Sequence, residues 1–295
     1  MAWPETRRQF LIAGAGSVLA ACAPPGASAP RAAAADSAPF GAIEQRVGGR
    51  VGVCALDLQT GRRWAQRADE RFAMCSTFKW LLAAQVLAQV DQGQLRLEQR
   101  VAYGAGDLLE YAPVTREQVG GGSLSVEELA RAAVVVSDNT AANLLLAQLG
   151  GPASLTRFCR ALGDATSRLD RTEPDLNSNQ PGDDRDTTSP AAMVELMRRI
   201  LCGTVLSPAG RERLVGWLRA CETGHQRLRA GLPADWQVGD KTGTGNHGAC
   251  NDVAIAVPPG QSPVLLAVYL SESAAGLEVL QSAHREVAGA VAAQL

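Results

Sequence analysis

Lysine is nearly missing from this 295-residue chain: of 28 basic residues, only Lys79 and Lys241 are lysines. Every other cation is an arginine, which keeps its proton, whereas a partly desolvated ammonium can give its proton up. The two lysines are therefore the places to look for proton transfer or for a compact positive charge. Histidine is equally scarce. His225, His247 and His284 are dispersed, and the seven cysteines (22, 54, 75, 159, 202, 221 and 250) show no metal-ligand spacing, so no zinc site is expected. Excess charge is lacking too: a net charge of −2 and a pI near 6.0 offer no basic field to collect nucleic acid. A small molecule or a neutral polymer fits better as partner. Long apolar runs are absent except Phe10–Ala21, and a dozen residues are too few to span a bilayer comfortably.

What is present suits a globular protein, with 46% hydrophobic and 20% charged residues. Thr6-Arg7-Arg8-Gln9-Phe10-Leu11 followed by the apolar run reads as a twin-arginine export signal. Leu19-Ala20-Ala21-Cys22 ends it as a lipoprotein processing box, making Cys22 a lipidation site facing the periplasm; Ala27-Ser28-Ala29 offers an ordinary cleavage site as the alternative. Pro24–Ala38, rich in Ala, Pro and Ser, reads as a tether. Export permits disulfides, but the twin-arginine route carries folded protein, so no pairing follows.

Residues 50–58 and 62–67 alternate around Gln59-Thr60-Gly61 as a hairpin. Helical periodicity fills the middle, at 78–90, 125–136, 140–149, 155–162, 190–201 and 208–221. Strands return at 236–241, 251–257 and 263–270, before a last helix over 275–293. The expected organisation is therefore 1–38 as signal and tether, 39–68 with 220–295 as an α/β lobe, and 69–219 as a helical lobe. The chain ends meet in one sheet, and the chemistry belongs between the lobes.

Three short motifs carry that chemistry. Ser76-Thr77-Phe78-Lys79 puts a lysine one helical turn after a serine, on the same face, with the serine at a helix N-terminus that favours a developing oxyanion. Ser137-Asp138-Asn139 follows an apolar helix, and Lys241-Thr242-Gly243 lies on a late strand, where the glycine admits a substrate backbone. Together they supply a nucleophile, an amine to take its proton, a hydroxyl to pass a proton to a leaving nitrogen, and a neighbouring cation.

With this trio, the chain after the tether resembles the class A serine β-lactamases. Arg171-Thr172-Glu173-Pro174-Asp175-Leu176-Asn177, with Asp186 at the far end, is similar to the family's omega loop, here 171–186. The resemblance implies an α/β (α+β) two-lobe fold: an antiparallel sheet from both chain ends with flanking helices, beside an all-helical lobe. It implies hydrolysis of penicillins and cephalosporins through a Ser76 acyl-enzyme, with Lys79 and Ser137 moving protons and Glu173, helped by Asn177, activating the deacylating water. It further implies a salt bridge between Arg171 and Asp186, a cis bond before Pro174, support of the loop by Asn143, and a structural role for Asp138. Thr244 joins Ser76 in the oxyanion hole; Lys241, Thr242, Thr244 and Ser137 grip the substrate carboxylate beside Gly243; Asn139 holds the side-chain amide, and Tyr111 walls the mouth. No cofactor, no metal and a monomer are implied.

Two departures stand out. Cys250 occupies the strand position where many relatives have an arginine, and Arg227 matches the position from which some members supply that guanidinium instead. Cys75 precedes the nucleophile as in carbapenem-hydrolysing members, but their usual disulfide partner position is Gly245 here, so carbapenem hydrolysis is not expected. The rival readings are a penicillin-binding DD-peptidase and a β-lactam sensor that stays acylated; both normally lack a Glu173-type deacylating base.

Overall fold

Small and β-branched apolar residues run through Arg50–Asp57, Cys250–Val257 and Val264–Ser271, which bury both of their faces, whereas at the edge strand Arg63–Gln66 only Trp64 is buried. The structure, a computed structural model, describes residues 40–295; the export signal, Cys22 and the tether lie outside the described residues. Five strands form the main sheet: β1 (Arg50–Asp57), β2 (Arg63–Gln66), β3 (Gln237–Thr244), β4 (Cys250–Val257) and β5 (Val264–Ser271). Their spatial order is β2-β1-β5-β4-β3, and every pairing is antiparallel. β1 lies along β5 from Arg50 opposite Ser271 to Asp57 opposite Val264, which joins the two ends of the chain in one sheet. This is the α/β architecture expected from the sequence.

The two faces of the sheet feed two cores. Val264, Leu266, Val268 and Leu270 of β5, with Val51 and Val53 of β1, pack against the helices Phe40–Val47 and Leu277–Ala292. Leu265, Ala267 and Tyr269, one residue out of phase, join the larger core with Leu56, Val253, Met193, Leu196 and the helix Phe78–Asp91. That helix is apolar all round, and Phe78 to Ala88 are all buried, as a helix must be when other elements surround it. The helices Val126–Val135, Asn139–Gln148, Pro152–Ala161, Pro190–Leu201 and Pro208–Arg219 complete the helical side.

The helix Phe40–Val47 was not read from the sequence, nor were two small antiparallel pairs, Phe72–Ala73 with Thr187–Thr188 and Arg100–Ala102 with Ser123–Ser125. The first pair joins the chain just before Ser76 to the far end of the segment 171–186. β3 runs on to Thr244, three residues beyond the expected end, carrying the whole Lys-Thr-Gly motif into the sheet edge.

Candidate active site

The nucleophile turn is bent sharply before the central helix begins. Cys75 has φ 44°, in the left-handed region uncommon for a non-glycine residue, and Cys75–Thr77 forms a short 3-10 turn that runs into the helix Phe78–Asp91. Lys79 follows one turn later, wholly buried. Ser76 and Lys79 open on the same side of the turn, and Glu173 stands between them. Both meet at one oxygen: Ser76 Oγ donates to Glu173 Oε1 at 3.0 Å, and Lys79 Nζ lies 2.9 Å from the same atom. Lys79 Nζ also donates to Ser137 O at 2.8 Å, Asn139 Oδ1 at 2.6 Å and Ser137 Oγ at 3.3 Å. Burial pushes the ammonium below its ordinary pKa, and the Glu173 carboxylate opposes that shift. The result is an amine able to trade protons with its neighbours.

Ser137 has φ 62° in the connection between two helices. The turn is held by Asp138, which accepts from Ala141 N at 2.8 Å as the helix cap, and from Val114 N and Thr115 N at 3.0 and 2.9 Å. Across the cleft, Lys241 Nζ on β3 donates to Ser137 Oγ at 3.1 Å, so the hydroxyl sits between two ammonium groups. Burial first, reinforced by the like charge of Lys79, brings Lys241 down to about 8. β3 can come this close because Gly243 has no side chain: a Cβ there would lie 2.7 Å from Met74 O and 3.1 Å from Ser76 N.

The segment 171–186 delivers Glu173 and is clamped at several points. Asp186, fully buried, accepts from Arg171 Nε at 2.5 Å and from the amides of Asp170 and Arg171 at 2.7 and 2.9 Å. Asn143 grips the backbone of Glu173 reciprocally, Nδ2 donating to Glu173 O at 2.9 Å and Oδ1 accepting from Glu173 N at 3.0 Å. The Glu173–Pro174 bond is cis. Asn177 Nδ2 donates to Glu173 Oε2 at 2.5 Å, while Asn177 Oδ1 is buried without a partner.

A cavity of about 310 Å³ opens over these groups, lined by Ser76, Ser137, Asn139, Thr242 and Thr244 among others, with the half-exposed Tyr111 at its edge. Arg227 is buried at its floor rather than solvated: Nη1 donates to Gly243 O and Asn251 O at 2.9 and 2.6 Å, and Nη2 to Thr244 Oγ1 at 2.6 Å. A hydroxyl nucleophile, a carboxylate base, a depressed amine and two cations beside threonine hydroxyls make up an acyl-transfer site for an anionic substrate.

Known proteins share this sequence and this fold. The "Beta-lactamase enzyme family" matches residues 38–295. The β-lactamase L2 of Stenotrophomonas maltophilia is 47% identical over 283 residues, covering 92% of this chain and 93% of its own. The chain belongs to the class A β-lactamases. The carbapenem-hydrolysing β-lactamase KPC of Klebsiella oxytoca is 48% identical over 232 residues, covering 78% of this chain and 79% of its own. Among solved structures, an ancestral class A β-lactamase is 56% identical with a TM-score of 0.85, covering 87% of this chain and 98% of that one.

Against that class A background, the two departures have physical accounts. Cys250 is fully buried and its carbonyl pairs with His284 Nε2 at 3.0 Å, so no cation reaches the cleft from there; the Arg227 guanidinium does. Cys75 is a free thiol, pushed above its ordinary pKa by burial, and all six described cysteines are unpaired. An ideal Cβ on Gly245 would sit 2.7 Å from Cys75 Sγ and 2.6 Å from Asn177 O, so the glycine leaves room for both the thiol and the loop. One cleft residue was missed from sequence: Thr223, whose hydroxyl meets Thr242 Oγ1 at 2.5 Å and lines the cavity. A lone threonine in a loop carries no signal that would have found it.

Proposed function

We propose that this enzyme hydrolyses the β-lactam ring of penicillins and cephalosporins through an ester on Ser76. The observation that carries the proposal is the single Glu173 oxygen touching both the Ser76 hydroxyl and the Lys79 ammonium. In this arrangement Glu173 is the group hydrogen-bonded to Oγ, so it takes the first proton as Oγ attacks the lactam carbonyl. The oxyanion forms against the backbone N–H groups of Ser76 and Thr244. Collapse breaks the C–N bond, and the ring nitrogen takes its proton from the Ser137 hydroxyl, which Lys79 replenishes; Lys79 then recovers the proton held by Glu173, 2.9 Å away, which leaves the carboxylate free again. Lys241, Thr242, Thr244 and Arg227 hold the substrate carboxylate meanwhile, Asn139 takes the side-chain amide, and Tyr111 stacks at the mouth.

Deacylation uses the same carboxylate on a different proton. A water placed between Glu173 and the ester needs separations of about 2.6–3.2 Å on each side, so the 3.0 Å contact between Ser76 and Glu173 opens as the acyl group takes up Oγ. Asn177 Oδ1, the orphan acceptor beside Glu173, supplies the water's second hydrogen bond. Glu173 removes one proton, hydroxide attacks, and the proton returns to Ser76 as the penicilloate leaves.

Mixing the purified protein with a chromogenic cephalosporin tests this reading. Sustained turnover is expected; one stoichiometric burst would indicate a DD-peptidase or a sensor instead. We further propose that the chain is exported by the twin-arginine route, lipidated at Cys22 and monomeric in the periplasm, where it confers β-lactam resistance. The mass of the mature protein, its elution volume, and the growth of a susceptible host on ampicillin test those points.

A further inference from the structure

The nucleophile turn is also held from behind, by a residue the reaction does not touch. The carbonyls of Ala73 and Met74, immediately before the left-handed Cys75, both accept from the side-chain amide of Asn251, at 2.9 and 3.2 Å. Asn251 is fully buried on β4, directly opposite Gly243 of β3. Its own carbonyl accepts from Arg227 Nη1, the nitrogen that also holds Gly243 O. One amide and one guanidinium thus tie together β3, β4 and the turn that presents Ser76. Asn251 Oδ1 is buried without a partner, a penalty that an apolar residue at this position would not carry. The two bonds from Nδ2 are what the side chain contributes in return.

We propose that Asn251 is a positioning residue for the oxyanion hole: by drawing the Ala73 and Met74 carbonyls onto β4, it fixes the aim of the Ser76 N–H at the substrate carbonyl. The inference rests on the acyl-enzyme reading above. Gly243 abuts Met74 O and Ser76 N, so the gap between the Ser76 and Thr244 amides depends on how β4 holds the turn.

The test begins with Glu173→Gln and penicillin. An absent adduct there means that Lys79 does not replace Glu173 in acylation, and the rates of the otherwise unchanged enzyme then carry the test; only a parent enzyme with neither turnover nor adduct sinks the acyl-enzyme reading. Given an adduct, Asn251→Ala and Asn251→Asp are added, and the ester carbonyl stretch is read by infrared difference spectroscopy. Its band is expected to move to higher frequency as the oxygen loses polarisation. In the otherwise unchanged enzyme, kcat/KM is expected to fall by about tenfold to hundredfold, less than loss of a whole oxyanion donor. Asn251→Asp adds a pH signature: a carboxylate can donate to neither carbonyl, whereas a carboxylic acid can donate its one O–H to one of them, so its rate relative to the parent recovers in part as pH falls. Should Asn251→Ala not fold, Asn251→Asp prepared at pH 5 and raised to pH 7 carries the test alone. An unmoved carbonyl band, or kcat/KM within about threefold of the parent at both pH values, overturns the proposal.

Discussion

Replacing Glu173 with glutamine preserves the shape of the side chain and removes both its charge and its basicity. The two carboxylate oxygens face different donors: Oε1 meets Ser76 Oγ at 3.0 Å and Lys79 Nζ at 2.9 Å, and Oε2 meets Asn177 Nδ2 at 2.5 Å. Whichever way the glutamine amide turns, its NH2 confronts Lys79 or Asn177, so one donor pair is set against itself. The two half-reactions should respond unequally. Burial already depresses Lys79, and the Glu173 charge is the largest influence opposing that. Removing it tips Lys79 toward the free amine, which can take the Ser76 proton, so acylation continues. Deacylation has no substitute, because Asn177 is not a base. A positioned general base contributes roughly 10²–10⁴-fold, or about 2.7–5.4 kcal/mol. With penicillin, the variant should gain the mass of one intact substrate molecule and keep it; with a chromogenic cephalosporin it should give one burst per enzyme. Steady turnover within about tenfold of the parent would refute the role of Glu173, since it lies below the range for a general base. Absence of any adduct would refute the compensation by Lys79.

Three further outcomes follow from the same geometry. Lys241 loses its charge as pH rises through about 8, so KM for anionic β-lactams should climb above that pH while kcat at saturation holds; Lys241→Arg, which stays charged, should remove the inflection. Asp186→Ala strips the partner from Arg171 and from two backbone amides; discounted because the Arg171 side chain is 20% exposed, the loss is about 2–3 kcal/mol, read calorimetrically as a fall of roughly 5–10 °C in Tm. Among the described cysteines Cys202 alone is exposed, so a disulfide reagent should label it quickly in the native protein and reach Cys54, Cys75, Cys159, Cys221 and Cys250 only after unfolding; fast labelling of Cys75 would contradict its burial.

The parts of the site legible in the sequence are those whose chemistry constrains residue type and spacing together. Ser76 and Lys79 share a helical turn, and a lysine in an arginine-rich chain draws attention to itself. Arg227 was legible only through resemblance, because nothing in His225-Gln226-Arg227 signals that the guanidinium turns inward to strand carbonyls. Thr223 and Asn251 were invisible: each acts through one contact to a segment far along the chain, and such contacts leave no local pattern. The long elements announced themselves by period, whereas the pairs Phe72–Ala73 with Thr187–Thr188 and Arg100–Ala102 with Ser123–Ser125 are too short for alternation to register. Lys79 illustrates a subtler gap. Its placement on the serine's face was readable, but its bonds to Glu173, Ser137 and Asn139 depend on how three separate segments converge.

The helix Phe40–Val47 packs against the closing helix Leu277–Ala292, with Arg46 and Glu286 joined at 2.6 Å, on the side of the sheet away from the helix that follows Ser76. Both ends of the folded body therefore lie on the face of the sheet opposite the helix that follows Ser76. The two helices that begin and end the folded body thus brace one another across the same sheet face, the arrangement that lets a chain be rejoined at its ends and its start relocated within a surface loop.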